Sequence, residues 1–403
     1  MRRLLRPPHL ARLPLLACAG LIGFLFATIL WNAAVERQWP KLRIRSAEPL
    51  AGVTAPAPAP LSVEAFLSGD MQRAVSTGLG QTLPVFPISV RAKSQLLFSL
   101  FGVSGAPSVV VGRDGQLFER PYIEELCGRG APPSSEHLAG WADSIAASQQ
   151  ELRARGKGFA YLISPSKAAR LSPFLPPGLA CPGLAAPDKL APFRAALETH
   201  GVAHVDGASL MTATMEAGGP ALFPRGGTHW NALGAAIAFT QIAPKLDTGS
   251  AAPLGPFDFE ARPLPRAQGA DRDLLDLMNL LRPDDAYPSM AIDRKGRGGD
   301  CPRAPRLVLL GGSFLREIVI AAAAAACPPQ IDHWFSMRAD GVFRSVRYRT
   351  GPGDIGNGEK LPVDPALLRA AIAAADAVLL EENESNIAAM PQVGALATAL
   401  AGP

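Results

Sequence analysis

The chain has 403 residues, 48% of them hydrophobic and 18% charged, with a net charge of +4. A packed core is easily built, and so mild and evenly spread a positive charge excludes a dedicated nucleic-acid binder. With 39 Gly, 39 Pro and abundant Ala, the composition suits a loop-rich α/β protein.

The first twelve residues carry Arg2, Arg3, Arg6 and Arg12 and no acid, and the run from Leu13 to Val35 has no charge. Roughly 20 apolar residues cross a bilayer as a helix, and flanking arginines stay cytoplasmic. The pattern predicts a cytoplasmic tail over 1–12 and a single-pass signal-anchor over 13–35 in the inner membrane. It places everything that follows in the periplasm. The run is long for a cleaved signal peptide and ends near Trp31, an interfacial residue type. The stretch "LLAC", ending at Cys18, is a weaker lipoprotein-like alternative.

Residues 36–95 read as a stalk and lead-in. "AEPLAGVTAPAPAPLS" (47–62) alternates Ala and Pro and predicts an extended spacer, and a helical lead-in follows from residue 63. Beyond the anchor lie Cys127, Cys181, Cys301 and Cys327, an even set that permits two disulfides in an exported protein, with the pairing open. No Cys/His spacing suggests a metal, no phosphate-cradling motif is present, and no cofactor is expected.

Residues 96–403 alternate strand-like and helix-like segments. "SVVVGRDGQLFE" is a hairpin around Asp-Gly. "SSEHLAGWADSIAASQQELRARG" is a Ser-capped amphipathic helix with a Gly stop. "GFAYLIS", "RLVLLG" and "DAVLLEEN" are buried strands, and "HWNALGAAIAFTQIAPKL" and "DPALLRAAIAAA" are helices. "VFRSVRYR" reads as an edge strand. Residues 250–300, rich in Pro, Arg and Asp, read as an irregular insertion. Apolar strands alternating with helices predict a mostly parallel sheet covered on both faces, an α/β/α three-layer domain.

In such sheets ligands sit at the carboxyl ends of the strands. "RLVLLGGSFLRE" puts Ser313 there, between a Gly311-Gly312 turn and a helix N-terminus whose amides form an oxyanion site. The same pattern also makes an ordinary helix cap. A serine nucleophile needs a base. "RGGTHWNALG" offers His229 at a second loop-to-helix junction, where a core histidine is the alternative.

Together, "THWNALG" and "GGSF" resemble the alginate O-acetyltransferase family of AlgJ/AlgX type, whose catalytic domain is SGNH-hydrolase-like. "VGRDGQLFE", "YLISPSKA" and "DAVLLEENESNI" resemble that family's early hairpin, its strand with a Pro-x-Lys turn, and its closing strand with an acidic loop. The likeness covers about residues 100–390. It implies a periplasmic, membrane-anchored O-acetyltransferase acting on an exopolysaccharide, alginate- or cellulose-like, through an acetyl-serine. Ser313 would be the nucleophile and His229 the base, with a membrane-bound acyltransferase as acetyl source and no nucleic-acid partner.

One departure matters. The family has Asp two residues before the histidine, and here that position is Gly227. Something else must then orient the imidazole: a backbone carbonyl, or Glu381, Glu382 or Glu384 of the closing acidic loop. Gly312 and Asn383 are candidate oxyanion donors, although an acidic loop is also an ordinary solvated turn. Trp230, Lys167 and Arg113 are candidate substrate contacts, against core packing, a surface lysine and a turn residue beside Asp114. Gly227 equally suits a polysaccharide-binding subunit of an acetylation complex that has lost its chemistry. A carbohydrate acetylesterase, with water as acceptor, would use the same serine.

Overall fold

The computed structural model describes residues 8–44, 48–53, 61–128, 133–179, 189–296, 298–339, 342–350, 358–361, 364–387 and 389–402. The chain forms two compact units, Met1–Ala106 with Asp276–Pro283, and Pro107–Leu275 with Asp284–Pro403.

The first unit is helical. Its helix Pro8–Val35 contains one segment, Leu15–Val35, long and apolar enough by length and composition to cross a membrane, with mean hydropathy 2.0. Helices Val63–Ser68, Asp70–Thr82 and Phe86–Phe101 follow. Ser62 caps the first of these by accepting from the Ala65 amide, and Gly69 breaks it from the second at φ 80°. Half of the Ala/Pro stretch and the arginines before residue 8 lie outside the described residues.

The second unit is built on strands β1 (Val109–Val111), β2 (Leu117–Glu119), β3 (Gly158–Ser164), β4 (His204–Asp206), β5 (Phe259–Leu264), β6 (Ser289–Arg294), β7 (Arg306–Gly311), β8 (Gln330–Ala339), β9 (Val342–Thr350), β10 (Gly358–Leu361) and β11 (Ala377–Asn383). Seven of them form one sheet in the order β10-β9-β8-β7-β11-β3-β4. From β8 to β4 every pairing is parallel, while β9 and β10 add on antiparallel. The fold is therefore an α/β domain with a mostly parallel central sheet.

Side-chain alternation divides the core into two layers. Phe159, Tyr161, Ile163, Val308, Leu310, Val378 and Leu380 pack under helices Ser135–Ala154, Leu190–Thr199, Pro365–Ala374 and Pro391–Ala401. Ala160, Leu162, Leu307, Leu309 and Leu379 pack on the other face, under helices Ala232–Asp247 and Leu315–Ala323. The central strands β3, β7 and β11 are apolar on both faces along most of their length because both faces are covered.

The β1–β2 pair is the expected hairpin. Asp114 and Gly115 turn it in the left-handed region, at φ 54° and 71°. Two expectations need correction. "VFRSVRYR" is β9 and not an edge, because β10 pairs along its outer side. The 250–300 segment is only partly irregular: β5 and β6 pair antiparallel across it, and a turn at Gly269–Arg272 leads into the helix Asp273–Leu277. A disulfide joins Cys301 to Cys327. Cys127 is also disulfide-bonded, and Cys181 lies outside the described residues.

Candidate active site

The carboxyl ends of β7, β11 and β3 open on one side of the sheet. β7 ends at Gly311, where an added side chain would collide with its neighbours: a Cβ would lie 2.5 Å from Glu381 Oε2 and 2.7 Å from both Glu381 Cβ and Leu315 Cδ1. That close approach lets the chain turn at Gly312 and deliver Ser313 just before the helix Leu315–Ala323. The second junction is built by Asn231. Its side chain accepts from the Gly234 amide and caps the helix Ala232–Asp247, leaving His229 on the loop ahead of it.

The two junctions converge. His229 Nε2 lies 2.6 Å from Ser313 Oγ. The other ring nitrogen, Nδ1, lies 2.6 Å from Asp273 Oδ2. The far oxygen of Asp273 accepts from the Thr228 amide at 3.0 Å and from the Leu274 amide at 2.6 Å. One carboxylate thus fixes the tautomer of the imidazole and, through Thr228, the backbone next to it. The His229 ring also meets Phe314 edge-on at 4.9 Å between centroids.

Asp273 is the residue that sequence reasoning missed, and it comes from the 250–300 segment. Gly227 explains how. A Cβ there would lie 2.4 Å from the Ala270 carbonyl oxygen and 2.9 Å from Pro224 Cγ. The turn carrying Asp273 occupies the space an aspartate at 227 would need. The only trace in the sequence is an acid heading the short apolar helix "DLLDL".

The electrostatics follow from burial. Burial is the largest influence on His229 and pushes its pKa down. The Asp273 hydrogen bond and charge, with Glu317 and Glu119 behind them, outweigh it and leave the imidazole above the ordinary histidine value. Burial raises Glu317 to about 7, opposed by His229, and raises Asp271 to about 6, opposed by its Ser289 hydrogen bond.

The other sequence candidates lie elsewhere or act otherwise. Glu382 accepts from the Gln392 amide at 2.6 Å, and burial raises it to about 8. Glu384 accepts from the Ser166 amide and pairs with Arg170 at 2.8 Å. Neither touches His229. Glu381 bonds Ser164 Oγ and accepts from the Gly312 amide at 2.5 Å, so that amide is already engaged and not a free oxyanion donor. Asn383 donates to Ser164 Oγ and the Pro165 carbonyl and holds the turn after β11. Among the described residues, the Ser313 and Phe314 amides have no hydrogen-bond partner. Trp230 is fully buried, with its indole N–H on the Phe314 carbonyl, and presents no face to a sugar. Lys167 is not a surface lysine: it is 2% exposed and donates to backbone carbonyls. Arg113 stands exposed in the β1–β2 turn.

The geometry is that of a serine, a histidine and an acid in hydrogen-bond series. It can remove a proton from a hydroxyl and return it to a leaving group. Among the described residues no group of His, Cys, Asp and Glu has metal-binding geometry.

No curated protein sequence matches this chain. Among solved structures it is similar to the O-acetyltransferase domain of Pseudomonas putida AlgJ, at 20% identity over 72% of this chain and 99% of that one, with a TM-score of 0.45. It is similar to Pseudomonas aeruginosa AlgX at 15% identity over 72% and 66%, with a TM-score of 0.44. For Bacillus cereus PatB1 the values are 12%, 69% and 96%, with a TM-score of 0.41. The sequence profile of the SGNH hydrolase-like domain of acetyltransferase AlgX matches residues 109–314, half of the chain, and with it the His229 and Ser313 junctions. The chain belongs to the family of SGNH hydrolase-like acetyltransferase domains of the AlgX type.

Proposed function

We propose that this protein is a membrane-anchored periplasmic O-acetyltransferase that acetylates a hydroxyl of an exopolysaccharide through an acetyl-serine. The observation that carries the reading is the unbroken series Ser313–His229–Asp273, completed by an acid from outside the family's usual position. In the first half-reaction Ser313 Oγ attacks the acetyl carbonyl and His229 Nε2 takes the serine proton. That proton then goes to the departing group of the donor. The Ser313 and Phe314 amides, free at a helix start, face the developing oxyanion. In the second half-reaction a sugar hydroxyl gives its proton to His229 and attacks the acetyl-serine. The ester passes to the sugar, and the proton returns to Ser313.

The apolar helix Leu15–Val35 and the oxidised cysteines support an exported, anchored domain. In this reading a membrane-bound acyltransferase supplies the acetyl group. Gly227, the feature that favoured a subunit without chemistry, loses that weight because Asp273 stands where the acid is needed.

p-Nitrophenyl acetate tests the reading. A burst of p-nitrophenolate is expected, with one acetyl group found on the Ser313 peptide by mass spectrometry. Ser313→Ala should show neither. Adding an oligosaccharide should then yield acetylated sugar rather than acetate. Equal release by the native chain and Ser313→Ala refutes the acyl-enzyme, and acetate as sole product makes the protein an esterase.

A further inference from the structure

His229 sits on a loop without regular secondary structure, yet the backbone carbonyls of residues 224–227 just ahead of it are all claimed. The Gly226 carbonyl accepts from the Leu275 amide at 2.9 Å, and the Arg225 carbonyl accepts from the Leu117 amide at 2.9 Å. The rest converge on one side chain. Lys167 Nζ donates to the Pro224 carbonyl at 2.6 Å, the Arg225 carbonyl at 3.1 Å and the Gly227 carbonyl at 2.8 Å. Lys167 follows β3 and opens the short helix Lys167–Arg170. Its ammonium also lies 5.4 Å from the centre of the Phe118 ring.

Three acceptors meet the three protons of an ammonium, and a neutral amine would turn its lone pair on one of the carbonyls. Burial draws Lys167 down to about 7, while Asp273 and Asp271 pull the other way. Lys167 is buried and its three protons all go to carbonyls, so the lysine has no free donor for a substrate. We propose that Lys167 is the positioning residue for the base: it gathers the 224–227 backbone so that His229 meets Ser313 and Asp273 together. The inference rests on the proposed acyl-transfer role of that pair. Such a role matters because a displacement of about 1 Å in a reacting group costs on the order of 10² in rate.

The test uses the full chain with Lys167→Met and Lys167→Gln. Single-turnover acylation by p-nitrophenyl acetate should fall about 100-fold in the methionine variant, with KM changed less than about threefold. The downfield imidazole N–H proton of His229 bonded to Asp273, followed by NMR, should vanish. Lys167→Ala should regain rate when methylammonium is added, which a purely structural loss would not allow. Should Lys167→Met fail to fold, Lys167→Gln carries the same readouts, with a smaller loss because its amide still donates. Native-like acylation with the downfield proton retained overturns the proposal, as does a loss confined to KM. If the native chain itself does not acylate, the functional reading fails. The downfield proton, present in the native chain and lost in the variant, then still decides the positioning role.

Discussion

Two sets of carboxylates border the site. Glu381, Glu382 and Glu384 stand at the end of the central strand β11, where an α/β enzyme would be expected to keep its chemistry. Asp273 stands in a segment between β5 and β6 with no claim on the sheet. Yet the three glutamates are engaged by Ser164 and Gly312, by Gln392, and by Ser166 and Arg170. Asp273 gives one oxygen to two backbone amides and keeps the other for His229. The glutamates close the strand end, and the aspartate holds a ring. What separates the two sets is where each oxygen goes, since a buried carboxylate is fixed by the donors it answers.

Asp273→Asn sharpens the contrast most. It should lower acyl transfer by roughly 10⁴, the scale found when the orienting acid of a serine protease is made an amide. It should also move the acid limb of the kcat/KM profile to lower pH. In the native chain Asp273 lifts His229 above the ordinary value against burial, so removing that charge leaves burial to push it down. The same raised pKa means that His229 adds stability below about pH 6.5, its unfolded value, and that this is lost as pH rises through the folded value.

Gly227→Asp is expected to cost about 10² in rate, although it restores an acid where the family keeps one. The new side chain displaces the Ala270 turn and with it Asp273. Activity equal to or above native would show that the turn can yield.

Glu384→Gln should leave acylation within about threefold. It should destabilise the fold by about 2 kcal/mol in chemical denaturation, because it leaves Arg170 without its buried partner while that side chain keeps some water. A rate loss matching that of Asp273→Asn would erase the distinction between the two sets.

Glu382→Gln should have the smallest effect on acylation, and its effect on stability should show only against pH. The folded-state pKa of Glu382 is raised to about 8, so its stabilising contribution is full below the unfolded value near 4.5 and is lost as pH rises to about 8. Thermal unfolding of the variant should gain on the native chain across that window, and a constant difference would contradict the assignment.

The strands "GFAYLIS", "RLVLLG" and "AVLLEEN" were legible because a parallel strand covered on both faces is an unbroken apolar run. The helix Ser135–Ala154 was legible through its serine cap, Ser134, whereas the helix read from His229 onward begins only at Ala232, after Asn231 caps it. β10 was not, because a short polar strand at a sheet edge carries no periodic signal. Ser313 and His229 could be named because each sits at a glycine-marked turn beside a helix start. Lys167 could be named but not placed: a lysine after a strand looks the same whether it faces solvent or the backbone of another loop.

The residue types and their order along the chain determined the layered sheet, the apolar N-terminal helix and the serine and histidine junctions. These depend on local periodicity, turn chemistry and capping, which act over a few neighbouring residues. Only the tertiary structure decided which acid serves the histidine and what holds its loop. Both answers depend on oxygens and donors brought together from segments remote in sequence, and no local pattern encodes the distance between them.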